Sequence, residues 1–124
     1  MKDKNKRLRE RAPFKTEIIL SMGKAEKRYS KTRDISMNGL FVETDNVSDI
    51  LPLGSEGKIE ILLVLGESKI NIKGKFLVMR VIDLAKDKNG TPLPLGFGIE
   101  LFDFEGDSSI ELYNVLRYNL KEDI

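Results

Sequence analysis

The chain of 124 residues contains no cysteine and no histidine. Without cysteine it can form neither a disulfide nor a thiolate nucleophile, which fits a reducing compartment. Without either residue, the common zinc sites and the Ser-His-Asp and Cys-His catalytic arrangements are excluded. We therefore predict that the protein is not an enzyme and uses neither a metal nor a cofactor.

Long hydrophobic runs are also absent. The longest apolar run, residues 61–65, is far shorter than the roughly 20 residues that a helix needs to span a bilayer. The basic start is not followed by the apolar segment of a signal peptide. We therefore expect a cytoplasmic protein that does not insert into a membrane.

The length of the chain, with 40% hydrophobic and 33% charged residues, fits one globular domain. The net charge of +1 hides an asymmetry, because residues 1–33 carry 12 Lys/Arg and 4 Asp/Glu, whereas residues 34–124 carry 9 and 16. The basic start can attract an anionic ligand, nucleic acid or a lipid surface, or can simply keep the chain in solution. The acidic remainder argues against nucleic acid, which needs a basic stripe across the folded face.

Alternating apolar and polar residues, divided by turn residues, predict six β-strands. The predicted segments are residues 14–20, 25–34, 40–44, 58–65, 69–84 and 95–102. The segment 25–34 contains few apolar residues and is predicted to be an edge strand. Gly74 is interpreted as the mark of a bulge or bend, and Asn89-Gly90 as a hairpin turn.

A helix is predicted to begin at residues 107–109. Ser108 and Glu111 have the spacing of a capping box. The helical spacing of four further side chains predicts its buried face: Ile110, Tyr113, Leu116 and Leu120. The expected fold is mainly β: a six-stranded antiparallel β-barrel over residues 13–124, with the C-terminal α-helix across one open end. Residues 1–12 are predicted to form a flexible basic arm.

Two short motifs carry the functional signal. Residues 7–11 read Arg-Leu-Arg-Glu-Arg, and residues 34–39 read Asp-Ile-Ser-Met-Asn-Gly. Arginine can bind phosphate bidentately or present two parallel donors to O6 and N7 of guanine, and aspartate can accept from the N1–H and N2–H₂ edge. Alone, the first motif is typical of a solvated tail and the second of an Asx turn. Together they indicate a site for a guanine-containing anion.

The motif pair, Arg-x-x-x-Arg followed by Asp-x-Ser-x-x-Gly, resembles the signature of PilZ domains, the bacterial receptors for cyclic di-GMP. The resemblance covers nearly the whole chain, including the late strand at residues 96–101 and the closing helix. It implies that five residues bind cyclic di-GMP: Arg7, Arg11, Asp34, Ser36 and Gly39. The glycine can adopt a positive φ or allow close approach of the ligand.

Four further residues are weaker candidates for the ligand site. Lys6 precedes the first motif, at a position that the resemblance links to binding of one ligand or a stacked pair. Arg9 lies inside that motif without defining it. Arg33 precedes Asp34, and in a regular strand the two side chains would point to opposite faces. The resemblance also places Gly98 near the ligand.

The resemblance implies a receptor that changes conformation on binding and regulates a protein partner in motility, exopolysaccharide production or biofilm formation. Residues 2–11 contain one apolar side chain, so they cannot offset their ordering entropy and should fold only against a bound anion. A ligand-independent adaptor of the same fold remains an alternative. A single-stranded nucleic-acid binder is disfavoured, because only Tyr29 and Phe41 lie near basic or motif residues.

Overall fold

A computed structural model describes residues 14–122, which form seven β-strands, one short 3₁₀ helix and one α-helix. The strands are β1 (Phe14–Met22), β2 (Ala25–Tyr29), β3 (Lys31–Arg33), β4 (Gly39–Glu43), β5 (Glu56–Leu65), β6 (Ser68–Ile82) and β7 (Gly96–Phe102). The 3₁₀ helix is Val47–Asp49 and α1 is Ser108–Glu122. The prediction of a mainly β fold with a C-terminal helix is confirmed, and the predicted strand 25–34 is divided at Ser30 into β2 and β3.

All seven strands belong to one antiparallel sheet in the order β2-β1-β5-β6-β7-β4-β3. The two ends of this order, β2 and β3, are separated in sequence by Ser30 alone. Strand β1 also contacts β3, so the sheet curls and its two ends approach each other. No strand pairing within residues 14–122 joins these ends. The predicted closed six-stranded barrel is therefore not confirmed, and the described sheet is open with seven strands.

The core lies on the inner face of this curled sheet. In the hairpin of β5 and β6, Ile61 pairs with Ile72 and both are buried. The adjacent pair along the two strands, Glu60 and Lys73, is polar. Side chains directly opposite each other on antiparallel strands share a face, so the alternation along each strand builds one apolar layer. Phe76 and Phe97 are the largest side chains that are fully buried in it.

Helix α1 covers the core through Leu112 and Val115, which are buried, while Ile110 and Tyr113 are exposed. The predicted buried face is therefore wrong for Ile110 and Tyr113, whereas Leu116 packs partly against the core. Both stripes have helical spacing, so spacing alone does not choose between them. Within residues 14–122, no helix has the length and apolar character needed to cross a membrane.

Ser108 fixes the rotation of α1. Its Oγ accepts a hydrogen bond of 2.9 Å from the backbone N–H of Lys73 on β6. Leu112 and Val115 follow at i+4 and i+7 on the same side of the helix, so this anchor turns them towards the sheet. The predicted capping box is wrong. The Ser108 hydroxyl accepts its hydrogen bond from Lys73 on β6, and the Glu111 N–H donates to the carbonyl oxygen of Asp107 at 2.9 Å.

Gly74 is not at a bulge, because it pairs in regular register with Ile59. A Cβ at this position would lie 3.1 Å from the carbonyl oxygen of Phe102 and 3.4 Å from Cδ1 of Phe104. The glycine therefore makes room for the turn that follows β7.

The bulge in β6 lies at Met79 instead. Val78 pairs with Ile99 and Arg80 with Gly98, which leaves Met79 as an extra residue on β6. One extra residue reverses which face the following side chains occupy. Val78 therefore faces the core and Arg80, two residues later, faces outward.

Tyr29, at the end of β2, ties the 3₁₀ helix to the sheet. Its hydroxyl donates a hydrogen bond of 2.6 Å to the carbonyl oxygen of Asp49, and its ring meets Phe97 edge-on, with centroids 5.3 Å apart. Burial, reinforced by the nearby Asp49 carboxylate, raises the pKa of Tyr29 to about 12.

This raised pKa makes the stability of the protein sensitive to alkali. Unfolded tyrosine ionises near pH 10, so between that pH and the folded pKa of about 12 the unfolded chain binds fewer protons. The free energy of unfolding should therefore fall by up to about 1.4 kcal/mol per pH unit in this window through Tyr29. Tyr29→Phe should lose about 1 kcal/mol at neutral pH and should show a shallower alkaline decline. Denaturant unfolding as a function of pH measures both effects.

Tyr113→Phe is the matched control, because this tyrosine is exposed. It should keep the alkaline slope of the wild type. An equal slope for the wild type and Tyr29→Phe would show that Tyr29 does not keep its proton in the folded state.

Candidate functional site

The loop between β3 and β4 alternates exposed polar residues with partly buried apolar ones. Ile35 and Met37 pack against the core, whereas Asp34, Ser36 and Asn38 are exposed. The two apolar side chains anchor the loop to the sheet, so the polar residues between them face solvent. The sequence reasoning did not include Asn38, although this alternation is visible in the sequence.

Asp34 directly follows β3 and has a φ of 58°, in the left-handed region that aspartate tolerates better than most residues. Its carboxylate makes none of the hydrogen bonds to the following backbone that an Asx turn would require, nor does any cation within residues 14–122 pair with it. The carboxylate is therefore placed to accept hydrogen bonds from donors outside the loop.

Ser36 holds the shape of this loop. Its Oγ accepts from the backbone N–H groups of Asn38 and Gly39 at 3.2 Å each, and its own N–H donates to the carbonyl oxygen of Gly39 at 2.8 Å. The carbonyl oxygen of Asn38 accepts from the Leu101 N–H at 2.8 Å, which ties the loop to β7. Short-range bonds of this kind are characteristic of serine in turns. The predicted contact of Ser36 with ligand stays a prediction.

Gly39 is required by close packing against β7. A Cβ at this position would lie 2.1 Å from the carbonyl oxygen of Ile99. Its φ lies outside the left-handed region, so the interpretation of a glycine needed for a positive φ is wrong here. The close approach that the structure shows is to the neighbouring strand.

A row of paired residues crosses the outer face beside this loop, on β3, β4, β7 and β6. The row consists of Arg33, Phe41, Gly98 and Arg80. Directly opposite residues share a face, so the four positions lie side by side. The Cζ atom of Arg80 lies 5.4 Å from the centroid of the Phe41 ring, and Nη2 of Arg33 lies 2.8 Å from Oε2 of Glu43. The row thus places two guanidinium groups on either side of an aromatic ring.

Phe41 is only 3% exposed, although it lies on the outer face and outside the core cluster. Beneath the ring, β7 has no side chains, and the guanidinium of Arg80 lies over the ring. A Cβ at Gly96 would lie 2.8 Å from Cε2 of Phe41, and one at Gly98 would lie 3.8 Å from its Cδ1. The ring therefore lies over the backbone of these two glycines. Gly98 therefore leaves space in which the side chains of Arg80 and Phe41 pack.

A neighbouring ion pair and an open cavity border this face. Nζ of Lys31 lies 2.9 Å from Oδ2 of Asp45, and this hydrogen bond, with the Asp45 charge, raises the pKa of Lys31. The cavity, of about 1030 Å³, is bounded by Lys31, Thr32 and Glu43 on one side and by β5 and β6 on the other. None of the residues 34–39 lines this cavity.

The structure brings Asp34, Ser36 and Gly39 together in one loop, with Arg33 and Gly98 on the adjoining strands. The remaining predicted site residues, Arg7, Arg11, Lys6 and Arg9, lie outside the described residues. Within residues 14–122, no group of three or more His, Cys, Asp or Glu side chains could hold a metal ion.

The comparison with protein families matches residues 5–117 to the model of the PilZ domain. The match includes both motifs and extends over most of the chain, so this protein belongs to the PilZ domain family. This is a family of cyclic di-GMP-binding receptors whose members are generally not enzymes. No curated protein matches the chain.

Proposed function

We propose that this protein is a cytoplasmic bacterial receptor that binds cyclic di-GMP, changes conformation and thereby regulates a protein partner. The observation that carries the proposal is the family match across both motifs, combined with an exposed, internally braced loop that presents the Asp34 carboxylate. The output is motility, exopolysaccharide production or biofilm formation. The protein acts without catalysis, cofactor or metal.

Asp34 and the arginines have complementary roles in this proposal. The Asp34 carboxylate accepts from N1–H and N2–H₂ of one guanine, and the loop braced by Ser36 and Gly39 sets its position. Arg7 and Arg11 pair with the phosphates, where a planar guanidinium can make two parallel hydrogen bonds and also stack on a purine. Together these contacts bind both phosphates and the edge of one guanine.

The proposed conformational change follows from the shape of the described surface. The polar side chains of the loop, Asp34, Ser36 and Asn38, are exposed, so a ligand bound on them needs a second wall to be enclosed. We propose that residues 1–12 act as an arm that supplies this wall and folds over the ligand against the domain at 13–124. We also propose that the curled sheet, whose two ends are separated in sequence by Ser30 alone, acts as a barrel-like scaffold of seven strands in place of the predicted six. The folded arm then forms a new surface for the partner.

A ligand-independent adaptor is the alternative, and one observation favours it. Ile110 and Tyr113 on α1 are both more than half exposed, and apolar side chains at a surface can contact another protein. The two functions differ in whether the purified protein binds the nucleotide.

Calorimetric titration with cyclic di-GMP tests the proposal. We expect saturable binding that weakens as salt is added, because charge-assisted contacts with two phosphates are screened by ions. Cyclic di-AMP should bind far more weakly, because adenine has an N6 donor where guanine has the O6 acceptor. Absence of binding would leave the adaptor, and equal affinity for cyclic di-AMP would contradict guanine recognition through Asp34.

A further inference from the structure

The bulge at Met79 determines where Arg80 points. Up to Val78, the alternate residues of β6 that include Ile72 and Phe76 face the core. Continued regularly, this alternation would turn Arg80 inward, where a lone guanidinium would be very costly to bury. The extra residue instead aligns Arg80 with Gly98 on the outer face. Bulges are enriched beside functional sites because they redirect a side chain in this way.

Arg80 lies opposite Gly98, which has no side chain. A Cβ at Gly98 would lie 3.7 Å from Cβ and 3.8 Å from Nε of Arg80, so the arginine side chain crosses the strand where a side chain is missing. Its guanidinium reaches the ring of Phe41, which is itself packed onto the glycines of β7. The guanidinium is thereby placed between a fixed aromatic ring and solvent.

Arg80 also differs from the other outer-face arginines because no carboxylate within residues 14–122 pairs with it. Arg28 pairs with Glu17 at 3.2 Å and Arg33 pairs with Glu43 at 2.8 Å. Within residues 14–122, no carboxylate forms an ion pair with Arg80, which is exposed. Its position in the row that continues from Arg33 places this cation on the same face as the strand end that leads into the motif loop.

We propose that Arg80 is a ligand-binding residue, whose guanidinium stacks on a guanine base of the bound dinucleotide with Phe41 behind it. This inference rests on the proposed function and extends its site from the motif loop across β4 and β7 to β6. Guanidinium planes are good stacking partners for nucleic-acid bases, and an aromatic ring behind the plane fixes its orientation. Gly98 acts here by leaving space for the Arg80 side chain.

Titration of Arg80→Ala and Arg80→Lys with cyclic di-GMP tests this role. Lysine keeps the charge but has no plane, so we expect both variants to bind on the order of 10-fold more weakly than the wild type. Arg28→Ala is the matched control, because it removes an exposed arginine of the outer face that is ion-paired elsewhere. It should bind as the wild type does, and thermal unfolding without ligand should show that all three variants are folded.

The outcomes separate this inference from the proposed function. Wild-type affinity in Arg80→Lys would show that charge alone matters and would overturn stacking, and wild-type affinity in Arg80→Ala would remove Arg80 from the site. In either case the wild type still binds, so the receptor function stands. A wild type that does not bind overturns both.

A spectroscopic measurement adds a readout that a purely structural role of Arg80 would not affect. The ring current of a stacked guanine should shift the Nε–H proton of Arg80 upfield when cyclic di-GMP is added to the ¹⁵N-labelled protein. The signal is assigned by its loss in Arg80→Lys. An unshifted Arg80 signal at saturating ligand would overturn the stacking contact.

Discussion

Gly39→Ala is expected to lower the free energy of unfolding by about 3 kcal/mol, at the upper end of the cost of overpacking. The added methyl group would meet the carbonyl oxygen of Ile99, which belongs to the backbone of β7 and cannot rotate away. The β4–β7 pairing or the loop must therefore shift. Denaturant unfolding of the variant and the wild type measures the loss.

Gly98→Ala is the control for this prediction, because it adds the same methyl group to the same pair of strands. There the nearest heavy atom would be 3.7 Å away, an ordinary van der Waals contact. Its stability should stay within about 0.5 kcal/mol of the wild type. Equal destabilisation by the two substitutions would mean that the close approach at Gly39 does not determine the choice of glycine.

Arg7→Ala and Arg11→Ala should each weaken cyclic di-GMP binding by about 1.5–3 kcal/mol, the range for hydrogen bonds to charged groups. The free energy of unfolding should hardly change, because the segment at residues 2–11 contains a single apolar side chain, Leu8, that burial could stabilise. Calorimetric titration and thermal unfolding of the same samples separate the two effects. Lys4→Ala removes a positive charge outside the motif and should cost much less.

Hydrogen exchange on these samples would test the proposed folding of the arm. Amide exchange in residues 5–12 should slow when cyclic di-GMP is added to the wild type, and less so in Arg7→Ala. Full protection without ligand would indicate a preformed site and would remove the folding step from the mechanism. Wild-type affinity in both arginine variants would instead mean that the basic segment only solubilises the chain.

The positions of most strands could be predicted from residue patterns, because a half-buried strand needs one apolar face. The alternation at residues 69–73 predicted β6, and the paucity of apolar residues in 25–34 predicted an edge. The division at Ser30 was not predicted, since nothing in the local pattern shows that the segment pairs first with β1 and then with β4.

The existence of the helix could be predicted from periodicity, but the choice of its buried face could not. Ile110 and Tyr113 have the same helical spacing as Leu112 and Val115, and the bond from the Lys73 N–H to Ser108 turns the second pair towards the sheet. That bond joins residues 35 positions apart, so no local pattern contains it.

The candidate site shows the same division between local and long-range information. The motif at 34–39 could be found from the sequence because its residues are contiguous. Phe41 and Arg80 come together only through the pairing of three strands and the extra residue at Met79. An arginine at a position that strand alternation assigns to the core was the available signal.

The two edge strands of the sheet, β2 and β3, limit how copies of this protein can associate. A strand edge with unpaired backbone groups can template the addition of another chain, as in aggregation and fibril growth. Here β2 offers five residues and β3 three. Both strands are short, so a second copy aligned along either of them would gain few hydrogen bonds. The strands that lead into the motif loop therefore also disfavour edge-to-edge aggregation.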